Sequence, residues 1–323
     1  MKLATEPTIK TLGDYACQAI QKHFKKTLKW EKSVKKDEDP EALHQMRVGM
    51  RRLRTAVSRF EIALDFPKPV TDKNIGKIAR RLGNLRDLDV LKESLQTNYK
   101  PHLSHKEQDS LQTAFAALTK QREDVLSSVQ KTLKDEPYKS LKEALKDWLE
   151  KPSYRQLASV DIGKVLPDLL LPEVSNFLLH PGWLVGTYIE ESEVKIQRNW
   201  QQEKLEAELT KEGEILHSLR KQAKRIRYQM ELFTDLYGES YAAYITEIKN
   251  IQEILGTMQD SVVLAEWLMD VFDSEIHTQL PTLANLLAEN RYQMWQQWQP
   301  LQERYLKADT RHSFHLTILH PIL

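Results

Sequence analysis

HQMRVGMRRLRTAVSRF at residues 44–60 and HSLRKQAKRIRYQMELF at 217–233 each set a histidine ahead of a row of cationic side chains. In the first, Arg47, Arg51 and Arg54 recur at steps of three and four, flanked by Arg52 and Arg59. In the second, Arg220, Lys224 and Arg227 keep the same spacing beside Arg225. Neighbours at those steps on a helix repel by a few tenths of a kcal/mol per like-charged pair, a cost that nearby counter-charge relieves. Each guanidinium is a fixed fork of donors suited to phosphate oxygens. A row of them fits an extended ligand of repeated charge better than a compact metabolite. Polyphosphate, nucleic acid and inositol phosphates all qualify. Aromatic interleaving is sparse: Phe60 and Phe233 fall on apolar stripes and Tyr228 stands singly. Base stacking is poorly supported, and an unbranched phosphate chain fits better.

Other chemistries have less behind them. His44 and His217 can hydrogen-bond backbone, or donate to an anion when protonated. Neither has Cys or His companions at ligand spacing, so a metal site is disfavoured. Asp87 and Asp260 are expected to orient a motif arginine or histidine; Asp87 with Asp89 is an alternative Mg²⁺ pair, present in one copy only. Gly83 and Gly256 sit inside helical patterns, where glycine costs about 1 kcal/mol, so close approach of a packed helix or a ligand is expected there. The chain shows no glycine-rich phosphate loop before Lys-Ser/Thr, no HExxH and no serine or cysteine nucleophile arrangement. Cys17 reads as a small buried residue. The expectation is no catalytic residue, no metal and no cofactor.

The elements that must position these residues follow from periodicity. Met46, Met50, Leu53, Val57, Phe60 and Leu64 form one buried stripe, and Asp39, Pro40 and Glu41 supply a start signal. His44, Arg47, Arg51 and Arg54 lie opposite. Every member of the first row returns 173 positions on: His44 as His217, Arg47 as Arg220, Arg51 as Lys224, Arg52 as Arg225, Arg54 as Arg227. The same offset carries LGNLRD (82–87) onto LGTMQD (255–260), which marks an internal duplication. Helices are predicted over 8–36, 40–65, 72–97 and 105–134, and again over 185–211, 213–238, 243–272 and 278–307. Between them Pro137, Pro152, Pro167, Pro172 and Pro181 punctuate a connecting region, with a helix around 139–149. No alternating β-branched run demands a sheet. The expected fold is all-α: two pseudo-symmetric antiparallel helical bundles, 1–136 and 180–323, joined by 137–179. If the two histidine-bearing helices face each other, their arginines line a basic groove between the bundles. With Ile75, Ile78, Leu82 and Leu85 buried, Lys73, Lys77 and Arg80 point the other way; residues 41–90 hold 11 Lys/Arg against 6 Asp/Glu, so the first half carries the excess.

The 323 residues as a whole carry Lys+Arg 47 against Asp+Glu 46, a net charge of +1. That gives no global attraction for nucleic acid or an anionic membrane, so any polyanion site must come from local segregation. One cysteine excludes an intrachain disulfide framework. The N-terminal stretch lacks signal-peptide character, and no window reads as a membrane span. A cytoplasmic protein is expected.

With both copies in register, the pattern resembles the conserved histidine alpha-helical domain family, abbreviated CHAD. The residues that carry the resemblance are HQMRVGMRRLR and HSLRKQAKRIR, followed in turn by LGNLRD and LGTMQD, and it extends over about 8–320. It implies two pseudo-symmetric helical bundles flanking a basic groove, binding of inorganic polyphosphate, and collection at polyphosphate granules. Binding residues carry over onto His44, Arg47, Arg51, Arg52 and Arg54, and onto His217, Arg220, Lys224, Arg225 and Arg227; further groove positions are Lys73, Lys77, Arg80 and Arg81. Many relatives carry an attached triphosphate-tunnel domain, and none is expected here before 8 or after 320. A stand-alone, non-catalytic polyphosphate-binding module is therefore expected, with a metal-dependent polyphosphate hydrolase and a nucleic-acid binder as alternatives. The second copy departs from the first at Asn250 and Glu253, where the first has Lys77 and Arg80, so an asymmetric site is expected.

Overall fold

Asp39 accepts a hydrogen bond from the Glu41 amide at 2.8 Å, Pro40 takes the first helical position, and the helix over Pro40–Phe60 begins where its cap signals place it. A computed structural model describes residues 11–273 and 275–322 of a mostly α-helical chain. In chain order the elements are α1 (Leu12–Lys29), α2 (Glu31–Lys36), α3 (Pro40–Phe60), α4 (Asp72–Ser94), α5 (His105–Thr132), α6 (Glu136–Glu150) and α7 (Ile162–Leu178). Strands β1 (Thr187–Glu190) and β2 (Glu193–Ile196) follow, then α8 (Gln202–Glu231), α9 (Glu239–Val271), α10 (Ile276–Gln279), α11 (Pro281–Leu306) and α12 (Ala308–Leu319). The start of the helix predicted from residue 8 lies outside the described residues.

Three expectations are corrected. No helix covers 185–201: β1 and β2 form an antiparallel hairpin there, pairing Thr187 with Ile196 and Glu190 with Glu193. Its two-residue turn puts Glu191 and Ser192 at φ 49° and 66°, the positive values that a tight hairpin needs. The remainder of the helix predicted over 185–211 and the helix predicted over 213–238 are instead one helix, α8, which runs through Gly213 without a break. Pro167 and Pro172 do not interrupt α7 either. Each proline removes one backbone hydrogen bond, but Leu166, Leu170, Val174 and Phe177 are wholly buried, and their burial outweighs the loss.

The structure divides into two compact units. The first comprises the described part of Met1–Val90 together with Thr119–Leu169. Its core is the predicted stripe: Met46, Met50, Leu53, Val57, Phe60 and Leu64 are at most 1% exposed. Helix α1 crosses α3 closely at Gly49, where a Cβ would stand 2.8 Å from Thr27 Oγ1 and 3.1 Å from its Cα. Residues 137–169, expected to connect the halves, add to this unit. Trp148 Nε1 donates to Asp65 O at 2.9 Å, and the Leu12 amide to Val160 O at 2.9 Å. Arg122 ties α2 to α4 and α5, bonding both Asp37 oxygens at 2.7 and 2.8 Å and Asp89 at 2.7 Å.

The second unit comprises Leu91–Leu118 with the described part of Leu170–Leu323. Trp183 stacks on Trp298 and Tyr305 at 5.1 and 5.2 Å. The buried Gln302 donates to Trp183 O and Val185 O, both at 2.8 Å. Helices α8, α9 and α11 are tied by Arg291, which bonds Glu206 at 2.6 and 2.8 Å and Ser261 at 3.1 Å.

Candidate functional site

In each unit the motif helix lies against the helix that follows it, α3 against α4 and α8 against α9, and the contact has the same chemistry. Arg47 on α3 stands 3.7 Å from Asp87 on α4, and Arg220 on α8 stands 3.2 Å from Asp260 on α9. Each aspartate thus lies beside the motif arginine that it is expected to orient. Both arginines are largely covered, at 20% and 16% side-chain exposure, whereas the aspartates are 70% and 58% exposed. Each arginine lies by a glycine of the facing helix. A Cβ on Gly83 would meet Arg47 Nε at 3.7 Å, and one on Gly256 would meet Arg220 Nη2, Nε and Cζ at 3.0–3.3 Å. The motif arginine of the facing helix closely approaches Gly256, and at Gly83 it makes ordinary contact.

The other members of the rows differ between the units. Arg54 grips Asp72 through two bonds of 2.8 Å. Its counterpart Arg227 bonds Gln252 at 2.9 Å and Glu231 at 2.7 Å, and lies over the Tyr228 ring at 4.4 Å. Arg225 pairs with Glu173 of α7 at 2.8 Å. Arg51, Arg52 and Lys224 are half-buried on the same helices. On α4, Ile75, Ile78, Leu82 and Leu85 are buried, while Lys73, Lys77, Arg80 and Arg81 are exposed.

Both histidines are half-buried. Burial pulls the His44 pKa below its ordinary value; Glu41 opposes, and Arg86, Arg47 and Lys26 add to the pull. Burial does the same to His217, with Lys221, Arg220 and Lys224 adding and Glu214 opposing. His217 Nδ1 is buried and has no hydrogen-bond partner among the described residues. Each imidazole is thus neutral at pH 7 in a cationic field, a state that an arriving anion reverses by stabilising the proton. Lys26, Arg86 and Lys221 belong to this field and lie outside the rows that the sequence marks. Lys26 and Arg86 lie on helices other than the histidine's own, so row spacing carries no signal for them.

Asp89, the alternative partner of Asp87 in a metal site, is engaged by Arg122 at 2.7 Å. Among the described residues no group of three or more His, Cys, Asp or Glu side chains is placed to hold a metal ion. Nor, among them, is any helix long and apolar enough to cross a membrane.

Comparison with known families decides the kinship. The sequence profile of the CHAD domain matches residues 18–269. The chain belongs to the CHAD domain family. Two solved structures resemble this CHAD protein over nearly its whole length. One is the crystal structure of the CHAD domain from the plant Ricinus communis, at TM-score 0.60 and 21% identity, covering 98% of this chain and 94% of that one. The other is PptA from Streptomyces chartreusis, at TM-score 0.65 and 12% identity, covering 91% and 99%. At such identities the likeness is one of fold. No curated protein sequence matches the chain significantly.

Proposed function

We propose that this protein binds inorganic polyphosphate through the basic helices α3 and α8, extended on α4 by Lys73, Lys77, Arg80 and Arg81, as a non-catalytic targeting or scaffold module. The observation that supports the reading is the repeated placement of a largely covered motif arginine beside an exposed aspartate, Arg47 with Asp87 and Arg220 with Asp260. A largely covered guanidinium has less rotamer freedom to lose when a ligand arrives. The exposed cations of α4 continue the row along a second helix, as a chain of many phosphates requires. A cytoplasmic location, at polyphosphate granules, belongs to the same reading.

A single-strand nucleic-acid binder would use the same cations and stack bases on exposed aromatic side chains. Tyr228, the aromatic beside the second row, is buried and covered by Arg227. The discriminating experiment compares long-chain polyphosphate with single-stranded DNA of matched charge at several salt concentrations, with orthophosphate release followed in Mg²⁺ and Mn²⁺. Tighter binding of polyphosphate without release is expected. Equal binding of DNA supports the nucleic-acid reading, and sustained release supports a hydrolase working through Asp87 and Asp260.

A further inference from the structure

In the second unit β1 and β2 form a sheet of two strands. Their two-residue turn makes Glu190 and Glu193 the first hydrogen-bonded pair, and such pairs alternate along an antiparallel ladder. Tyr188 with Lys195 is the next, and the Gln197 amide, donating to Gly186 O at 3.0 Å, continues the series. Thr187 and Ile189 stand between these pairs, so their N–H and C=O groups turn away from β2. Helix α11 lies against β2, where Gln299 Nε2 donates to Gln197 O at 3.0 Å. Among the described residues no strand pairs with the outer edge of β1. The side chains along this edge are exposed. Ile189 is 72% exposed, and Val194, directly across from it on the same face, 36%. On the other face Tyr188 is 45% exposed, and Glu190 stands beside it. Glu190, Glu191 and Glu193 are all exposed. The single cation of the hairpin, Lys195, pairs with Glu193, so the hairpin is net negative. An open edge bearing an exposed β-branched residue is a template for a further strand. A second copy of the hairpin would bring its own carboxylates to the contact, and like charges across a ladder repel. A basic segment meets no such repulsion.

We propose that β1 is a docking edge for an extended segment of a partner protein in which basic and β-branched apolar residues alternate. The segment adds as a third strand, bonded to the outward N–H and C=O groups of Thr187 and Ile189. Side chains alternate between faces along a strand. The apolar residues of the segment therefore meet Ile189, while its cations meet Glu190 and the Tyr188 ring. None of the cations assigned above to phosphate belongs to this edge.

The test titrates the full-length protein with an end-capped, fluorescent peptide of alternating lysine and valine, beside a glutamate–valine peptide as control. Saturable binding of the lysine peptide, tighter than that of the control, is expected, with slowed hydrogen exchange at the Thr187 and Ile189 amides. Ile189→Pro removes an outward N–H and leaves the bonds to β2 in place. It is expected to weaken binding about tenfold. Glu190→Lys, at an exposed position, is expected to weaken the lysine peptide about fivefold and to strengthen the control. Thermal unfolding checks that both variants fold. No binding of the lysine peptide, equal binding of the two peptides, binding without protection of the two amides, or wild-type affinity in Ile189→Pro overturns the docking edge. So does a dimer in sedimentation that Ile189→Pro dissociates, which assigns the edge to a second copy.

Discussion

Arg220 lies across Gly256 so closely that a Cβ there would stand 3.0 Å from its Nη2, whereas Arg47 leaves 3.7 Å at Gly83. The two slots thus differ in tightness. Alanine at a helix-interior glycine gains about 1 kcal/mol of propensity. At Gly83 the new methyl makes an ordinary contact, so Gly83→Ala is expected to stabilise the protein by about 0.5–1 kcal/mol. At Gly256 the methyl must push the Arg220 guanidinium by a few tenths of an ångström, so Gly256→Ala is expected to gain less stability and to weaken polyphosphate binding. Urea unfolding and binding on both variants check this; equal behaviour of the two contradicts it.

Arg122 separates structural arginines from ligand arginines. It holds Asp37 and Asp89, and the Asp89 side chain is only 11% exposed. Arg122→Met leaves both carboxylates without their guanidinium and is expected to cost about 3 kcal/mol, the lower end for breaking a buried pair. Polyphosphate affinity of the folded variant stays at the wild-type value. Calorimetry with a binding titration at low temperature reads both.

His23 makes stability depend on pH. Its folded pKa of about 4 lies below the ordinary 6.5, so the unfolded chain takes the proton first. The contribution is complete above pH 6.5 and is lost as pH falls from 6.5 toward 4, by on the order of 3 kcal/mol. Glu31 and Glu107, whose pKa values are lowered from 4.5, lose their contributions at still lower pH. His23→Gln is expected to flatten the stability profile between pH 6.5 and 5. An unchanged profile contradicts the assignment.

His44 and His217 make binding depend on pH in the opposite sense. Both pKa values are depressed in the free protein, and a phosphate chain beside them raises them. Binding therefore takes up protons, and affinity rises as pH falls from 7.5 toward 5.5. His44→Gln/His217→Gln abolishes that rise. Titrations in buffers of different ionisation enthalpy give the proton count directly.

The parts legible in the sequence are those carried by period or by offset. The stripe from Met46 to Phe60 follows the helical period, and Asp39 and Pro40 are local signals for its start. The Arg47–Asp87 and Arg220–Asp260 pairs can be anticipated because the same residues recur at one offset. The hairpin cannot: Glu191 and Ser192 hold positive φ without the glycine or asparagine that announces such a turn, and its strands have four residues each. Helix α7 is hidden by prolines that its burial overrides. Glu173 is hidden because its pairing with Gln222 and Arg225 comes from tertiary packing of α7 on α8.

The central claim, that both motif helices bind the phosphate chain, is tested most directly by one salt-titrated measurement. Long-chain polyphosphate binding is compared between wild type, Arg51→Ala/Arg54→Ala and Arg225→Ala/Arg227→Ala, each confirmed folded. Each pair of losses is expected to weaken binding and to flatten the dependence of log Kd on log salt, the change being larger for the first-unit pair. Wild-type affinity and slope in either variant would show that the row concerned is ordinary surface charge, and would contradict the account.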